Sequence, residues 1–169
     1  YVTCDVIGTD TSVFVRAIRI NCGRRQGLEI LDPVVTELGL VGRIAKLSAT
    51  GAEVLLLSDS NSRVNARLQT TRADGLVVGQ LGGDLLMTNI PLDAEIREGD
   101  RVMTNGLGQM LPADLLIGQV LSTSLAENEL YQQARVRSLV DLDRVEIVQV
   151  IINFEPVDIS VFEEAEEEA

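Results

Sequence analysis

The sequence predicts an all-β fold with at most one or two short helical turns. Apolar residues recur with a period of two, and glycines divide the chain into segments of strand length. The clearest alternation is Arg63-Val64-Asn65-Ala66-Arg67-Leu68-Gln69, where Val64, Ala66 and Leu68 face one way and the polar side chains the other. That is the pattern of a half-buried strand.

Taken in order, Val13 to Ile20 reads as a strand whose polar residues change phase, because Arg16 and Arg19 cannot share one face of a regular strand. A bulge resolves such a conflict. Asp32-Pro33 followed by Gly39 carries a cap, a first-turn proline and a stop, so a short helical turn is one reading, although Val34-Val35-Thr36 is β-branched throughout. Gly42 to Leu47 reads as a strand, and Val54-Leu55-Leu56-Leu57 as one buried on both sides that ends at the polar turn Ser58-Asp59-Ser60-Asn61. Gly82-Gly83, between Gly75–Leu81 and Asp84–Ile90, is the strongest hairpin signal, since both glycines accept positive φ. Ser124-x-x-Glu127 is a capping box for a turn of helix. Leu130–Arg137 alternates loosely, and Leu142–Ile151 reads as a last strand with another change of phase. With a boundary near Asp59–Ser62, two small barrels in tandem satisfy the length and the strand count, and a single sandwich is the alternative.

Composition narrows the function. The chain has 169 residues, 46% of them hydrophobic, enough for a real core. The formal net charge is −12, and leaving out the five glutamates of the run Glu163–Glu168 still gives −7. A phosphate backbone would be repelled, and two Tyr, three Phe and no Trp make no stacking platform for bases, so no nucleic-acid partner is expected. The run Glu163–Glu168 itself is expected to be unfolded and solvated. Cys4 and Cys22 suit neither a disulfide framework nor a zinc site, and are expected to be free core thiols; one disulfide is the alternative in an oxidising compartment. No apolar run reaches the roughly eighteen residues of a membrane span. Without an initiating Met or signal peptide, the chain reads as the soluble part of something longer.

No catalytic or metal-binding constellation assembles, so no cofactor is expected. There is no histidine, which removes every imidazole-based nucleophile pair. A serine–lysine dyad would have to use Lys46, the single lysine, which lies in an expected strand. Asp10-Thr11-Ser12 after Val6-Ile7-Gly8 is the one enzymatic decoy: a dimeric aspartic protease places a carboxylate on such a loop. That loop needs glycine where Ser12 stands, and Asp-Thr-Ser is also ordinary turn chemistry. Asp59-Ser60-Asn61-Ser62 lacks the glycine and distal glutamate of a calcium loop, and Gly106-Leu107-Gly108 has no Gly-Lys-Ser/Thr after it.

The motifs in their order carry a resemblance. Val6-Ile7-Gly8-Thr9-Asp10 is followed by Ile20-Asn21-Cys22-Gly23 and Gly27, by Pro33-Val34-Val35 and by Gly39-Leu40-Val41-Gly42-Arg43-Ile44. Then come Asp59, Gly75-Leu76-Val77-Val78-Gly79, Gly99-Asp100-Arg101-Val102-Met103-Thr104-Asn105-Gly106, Leu111-Pro112 and Ile117-Gly118-Gln119-Val120. From Val6 to Ile151 the series resembles MreC, the bacterial rod shape-determining family. The chain departs from that pattern at Asn105 (usually Ser), Asp114 (usually Gly) and Leu116 (usually Pro).

The resemblance implies two small six-stranded β-barrels: residues 1–61 form the first, completed by the C-terminal strand, residues 62–152 the second, and 153–169 an acidic tail. It implies a non-enzymatic scaffold of cell-wall elongation on the extracytoplasmic face of the inner membrane, anchored only through a segment outside this chain. The partners it implies are further copies of itself, a penicillin-binding transpeptidase, MreB, MreD and RodZ. Asp100 and Thr104 are expected to brace the turn from Gly99 to Gly106.

Overall fold

A computed structural model describes residues 1–12, 14–107, 111–128 and 130–153. The acidic tail lies outside the described residues apart from Asn153. Among the described residues, twelve strands form two closed antiparallel barrels. The first contains β1 (Val2–Thr11), β2 (Arg16–Ile20), β3 (Pro33–Thr36), β4 (Gly39–Leu47), β5 (Ala52–Leu56) and β12 (Ile147–Val150), in the order β1-β12-β3-β4-β5-β2. The second contains β6 (Arg63–Leu68), β7 (Asp74–Gly79), β8 (Leu85–Pro91), β9 (Arg101–Thr104), β10 (Leu116–Leu125) and β11 (Tyr131–Ser138), in the order β10-β11-β8-β7-β6-β9. The second barrel is thus an insertion between two strands of the first.

Alternation decides what is inside. Val64, Ala66 and Leu68 of β6 are buried, as are Ala134 and Val136 of β11. In the first barrel Ile18, Ile20, Val34, Leu40, Ile44, Val54 and Leu56 fill the interior. One apolar cluster runs through both barrels, and β4 touches β10 where they meet. Closing each sheet on itself leaves no open edge where both neighbours pair.

β1 serves two neighbours. Its first half pairs with β12, from Val2↔Val150 to Asp5↔Ile147, and its second half with β2, from Val6↔Ile20 to Thr11↔Arg16. The phase conflict at Arg16 and Arg19 is met by a bulge in the partner strand: the register slips between Val6 and Gly8, and Ile7 turns outward. The hairpin at Gly82-Gly83 forms as expected. Both glycines have positive φ (92° and 99°), and the Gly83 N–H donates to the Gln80 carbonyl at 2.9 Å.

Four local expectations are corrected. Pro33–Thr36 is a strand, because β-branched side chains fit a ladder with β4 and β12 better than a helical turn. Ser124 caps nothing: it lies in β10 opposite Gln133. The last strand covers Ile147–Val150 alone, because Asp141 to Arg144 makes a turn closed by the Arg144 N–H on the Asp141 carbonyl. Cys4 and Cys22 are joined in a disulfide, not free, with Cα atoms 5.9 Å apart. The reason is register: the antiparallel β1–β2 ladder sets the two cysteines opposite each other just beyond Val6↔Ile20. A single turn of 3-10 helix at Arg24–Gln26 is the one helical element among the described residues.

Candidate interaction surface

Of the polar groups that the sequence offers as chemistry, Ser12 and Asp59 are engaged in turns, whereas Asp10 and Lys46 are exposed on strands. Asp10 is exposed in β1 opposite Ala17, and Ser12 Oγ accepts the N–H groups of Phe14 (3.2 Å) and Val15 (3.1 Å). This is a local turn motif, and it leaves no recessed carboxylate for a protease. Lys46 projects into solvent from β4, 3.4 Å from Glu53. Asp59 is buried, with Oδ2 accepting from the Arg16 N–H and Oδ1 from the Asn61 N–H, each at 2.8 Å. Arg16 also donates through Nε to Ser58 Oγ at 2.9 Å and pairs with Asp143, so one side chain ties β2 to the linker and to the returning chain.

The segment Gly99–Gly106 is not one turn, since Arg101–Thr104 is β9, and Asp100 and Thr104 brace its two flanks instead. Asp100 Oδ2 accepts the Arg97 N–H at 2.9 Å, while Thr104 Oγ1 donates to the Pro112 carbonyl (2.7 Å) and accepts from the Leu115 N–H (2.9 Å). Asp114, where the family favours glycine, adopts φ 67° and pairs with Arg67. Asn105 donates to the Ala66 carbonyl and accepts from the Leu107 N–H at 2.9 Å. Two of the three departures, Asn105 and Asp114, are therefore accommodated locally. Among the described residues no group of three or more acidic or sulfur side chains is placed to hold a metal.

Some of the exposed side chains are large and apolar. At the outer end of the second barrel, Leu125 closes β10, Tyr131 opens β11 opposite Pro91 of β8, and the Ala126 N–H meets the Tyr131 carbonyl at 2.9 Å. Leu130 stands in the connecting loop and Leu92 follows β8. Their exposures are 59% for Leu125, 42% for Tyr131, 65% for Leu130 and 51% for Leu92. Singly exposed leucines need no explanation, whereas four large apolar side chains on one barrel end form a candidate contact surface. One signal for it was readable: Tyr131 falls on the outward phase of a strand whose inward phase is set by Ala134 and Val136.

Two closed antiparallel barrels, joined through one apolar cluster and with large apolar side chains exposed at one barrel end, define the class as a double β-barrel protein. Residues 6–152 match the family model "Rod shape-determining protein MreC, barrel core". The chain belongs to the MreC family, a structural, shape-determining family and not an enzyme family. It is 32% identical over 155 residues to the cell shape-determining protein MreC of Cereibacter sphaeroides, covering 92% of this chain and 50% of that protein. This chain thus spans half the length of that relative. The solved MreC of Listeria monocytogenes superposes with a TM-score of 0.84 at 26% identity, over 93% of this chain and 77% of that one. A complex between penicillin-binding protein PBP2 and MreC from Helicobacter pylori gives a TM-score of 0.67 at 18% identity, over 88% of this chain and 98% of that one, a likeness of fold. No helix among the described residues is long and apolar enough to cross a membrane.

Proposed function

We propose that this chain is the extracytoplasmic barrel region of a scaffold for bacterial cell-wall elongation, which sets rod shape by self-association and by binding a penicillin-binding transpeptidase. MreB, MreD and RodZ are its companions in that reading. The observation that carries it is the family match across both barrels, on a fold that exposes four large apolar side chains at one barrel end. Two further findings support it. The Helicobacter pylori relative is itself solved in complex with a penicillin-binding protein. The Cys4–Cys22 disulfide suits an oxidising compartment outside the cytoplasm.

A second copy and a transpeptidase are separable by experiment. Leu125→Glu combined with Leu130→Glu puts two charges into the apolar end while leaving every interior residue in place. The expected result is loss of transpeptidase capture in a pull-down, with thermal unfolding unchanged. Sedimentation of the same variant tells whether self-association uses this end or another. Retained capture by a folded double variant moves the contact elsewhere.

A further inference from the structure

β10 outruns one of its two neighbours. β9 pairs only with Leu116, Gly118 and Gln119, and the last backbone bonds on that side join Val120 to Gly99 and Asp100, each at 2.8 Å. The chain reaches β9 through a turn at Arg97–Asp100, and among the described residues none bonds the backbone of β10 on that side beyond Val120. On the other side β11 keeps pairing as far as Leu125. Leu121 to Leu125 are all exposed, so neither face of this stretch is packed down.

The phase of the strand decides which backbone groups are spare. A residue's N–H and C=O point to one side of a strand, and those of the next residue to the other. The Ala126 N–H donates to Tyr131, so Ser124 and Ser122 also face β11. Thr123 and Leu125 face away, and the register shift between Val120 and Ser122 reconciles this with Val120 facing β9. Edge strands are ordinarily kept from pairing with other chains by charge or proline. This one has neither: no charged residue and no proline stands between Asp114 and Glu127, in a chain that is 24% charged. β1 also runs on past its pairing with β12, but that stretch carries the exposed Asp10.

We infer that the open edge of β10 pairs with the same edge of a second copy, antiparallel, about a two-fold axis at Ser124. This rests on the self-association put forward above and gives it a surface and a symmetry. The axis sets Thr123 opposite Leu125 of the second copy, so every outward N–H meets an outward carbonyl. Leu125, 59% exposed, is then covered. Charge favours this place: each copy carries −12, and an uncharged strand is where two such chains meet without opposing like charges. A contact that uses one patch twice closes on itself as a dimer.

Sedimentation of the full chain over a concentration series, with amide hydrogen exchange read residue by residue, tests the pairing. The Thr123 and Leu125 amides should exchange freely in the monomer and slow as the dimer forms, whereas those of Ser122 and Ser124 stay protected throughout. The axis makes a sharper demand, because it sets Ser124 directly opposite its own copy. Ser124→Lys and Ser124→Glu should each lose the dimer through like-charge opposition, and an equimolar mixture of the two should restore it. A chain that is monomeric at every concentration removes the self-association and the pairing together. A dimer whose Thr123 and Leu125 amides stay unprotected, or that survives Ser124→Lys undiminished, leaves self-association standing and overturns the pairing alone. Protection that appears only on adding a penicillin-binding transpeptidase gives the edge to that partner and also overturns it. Should either variant fail to fold, the exchange measured on the natural chain decides.

Discussion

Asp59 uses both carboxylate oxygens on backbone N–H groups, those of Arg16 and Asn61, from a position 1% exposed. Its own carbonyl is approached so closely by Gly79 that a methyl group there would stand 2.0 Å away. Asp59→Ala leaves two part-buried N–H donors without their acceptor and should cost about 2 kcal/mol; the midpoint of urea unfolding reads it. Asp32 shows the opposite balance. Burial is the main cause that raises its pKa, and nearby Glu29 adds to it, while the Glu29 N–H bonded to Oδ2 pulls the other way. The folded state therefore holds this proton more tightly than the unfolded one. The corresponding stability is present below the ordinary carboxylate pKa and disappears as pH rises through the raised value. Asp32→Asn keeps an acceptor for Glu29 but cannot ionise, so it should gain stability relative to the parent chain across that window. Unfolding free energies of both chains measured from acid to neutral pH give the test.

Strand by strand, the sequence was most legible where one face is dry. β6 and the β7–β8 hairpin follow directly from alternation and from Gly82-Gly83. It was least legible where tertiary pairing overrides local signals: Pro33–Thr36 carries helix punctuation yet completes a ladder, and Ser124 belongs to a long strand that pairs it with Gln133. The disulfide was hidden for a related reason. Cys4 and Cys22 meet only once the register of β1 on β2 is known, and the slip at Ile7 obscures that register. Extending Val6↔Ile20 by two residues would have revealed the pair. The bridge fixes the turn of chain between its ends, separated by 18 residues, in the unfolded state as well. Replacing both cysteines with alanine should lower stability by about 3 kcal/mol. A reducing agent should do the same to the natural chain and nothing to the variant, as denaturant titration would show. The contact surface was only partly readable, because alternation tells which side chains point out and not which of them gather; Leu92 joins Tyr131 through a neighbouring strand far away in sequence.

At the scale of the whole molecule, insertion governs assembly. The second barrel is contiguous from Arg63 to Ser138, whereas the first has to wait for Ile147–Val150 before its sheet can close. Long-range pairing is slow because loop closure precedes any reward from contacts. Pulsed hydrogen exchange during refolding should thus protect amides of β6 and β7 before those of β1 and β3, and simultaneous protection would count against this order. The same arrangement has a mechanical side. Val2 sits opposite Val150, so the two ends of the described barrels leave side by side. A load drawn between them would peel β12 from β1 one rung at a time, four residue pairs in all, while the inserted barrel carried no tension until that seam had opened. Any load applied through those two ends would therefore be felt first at this seam.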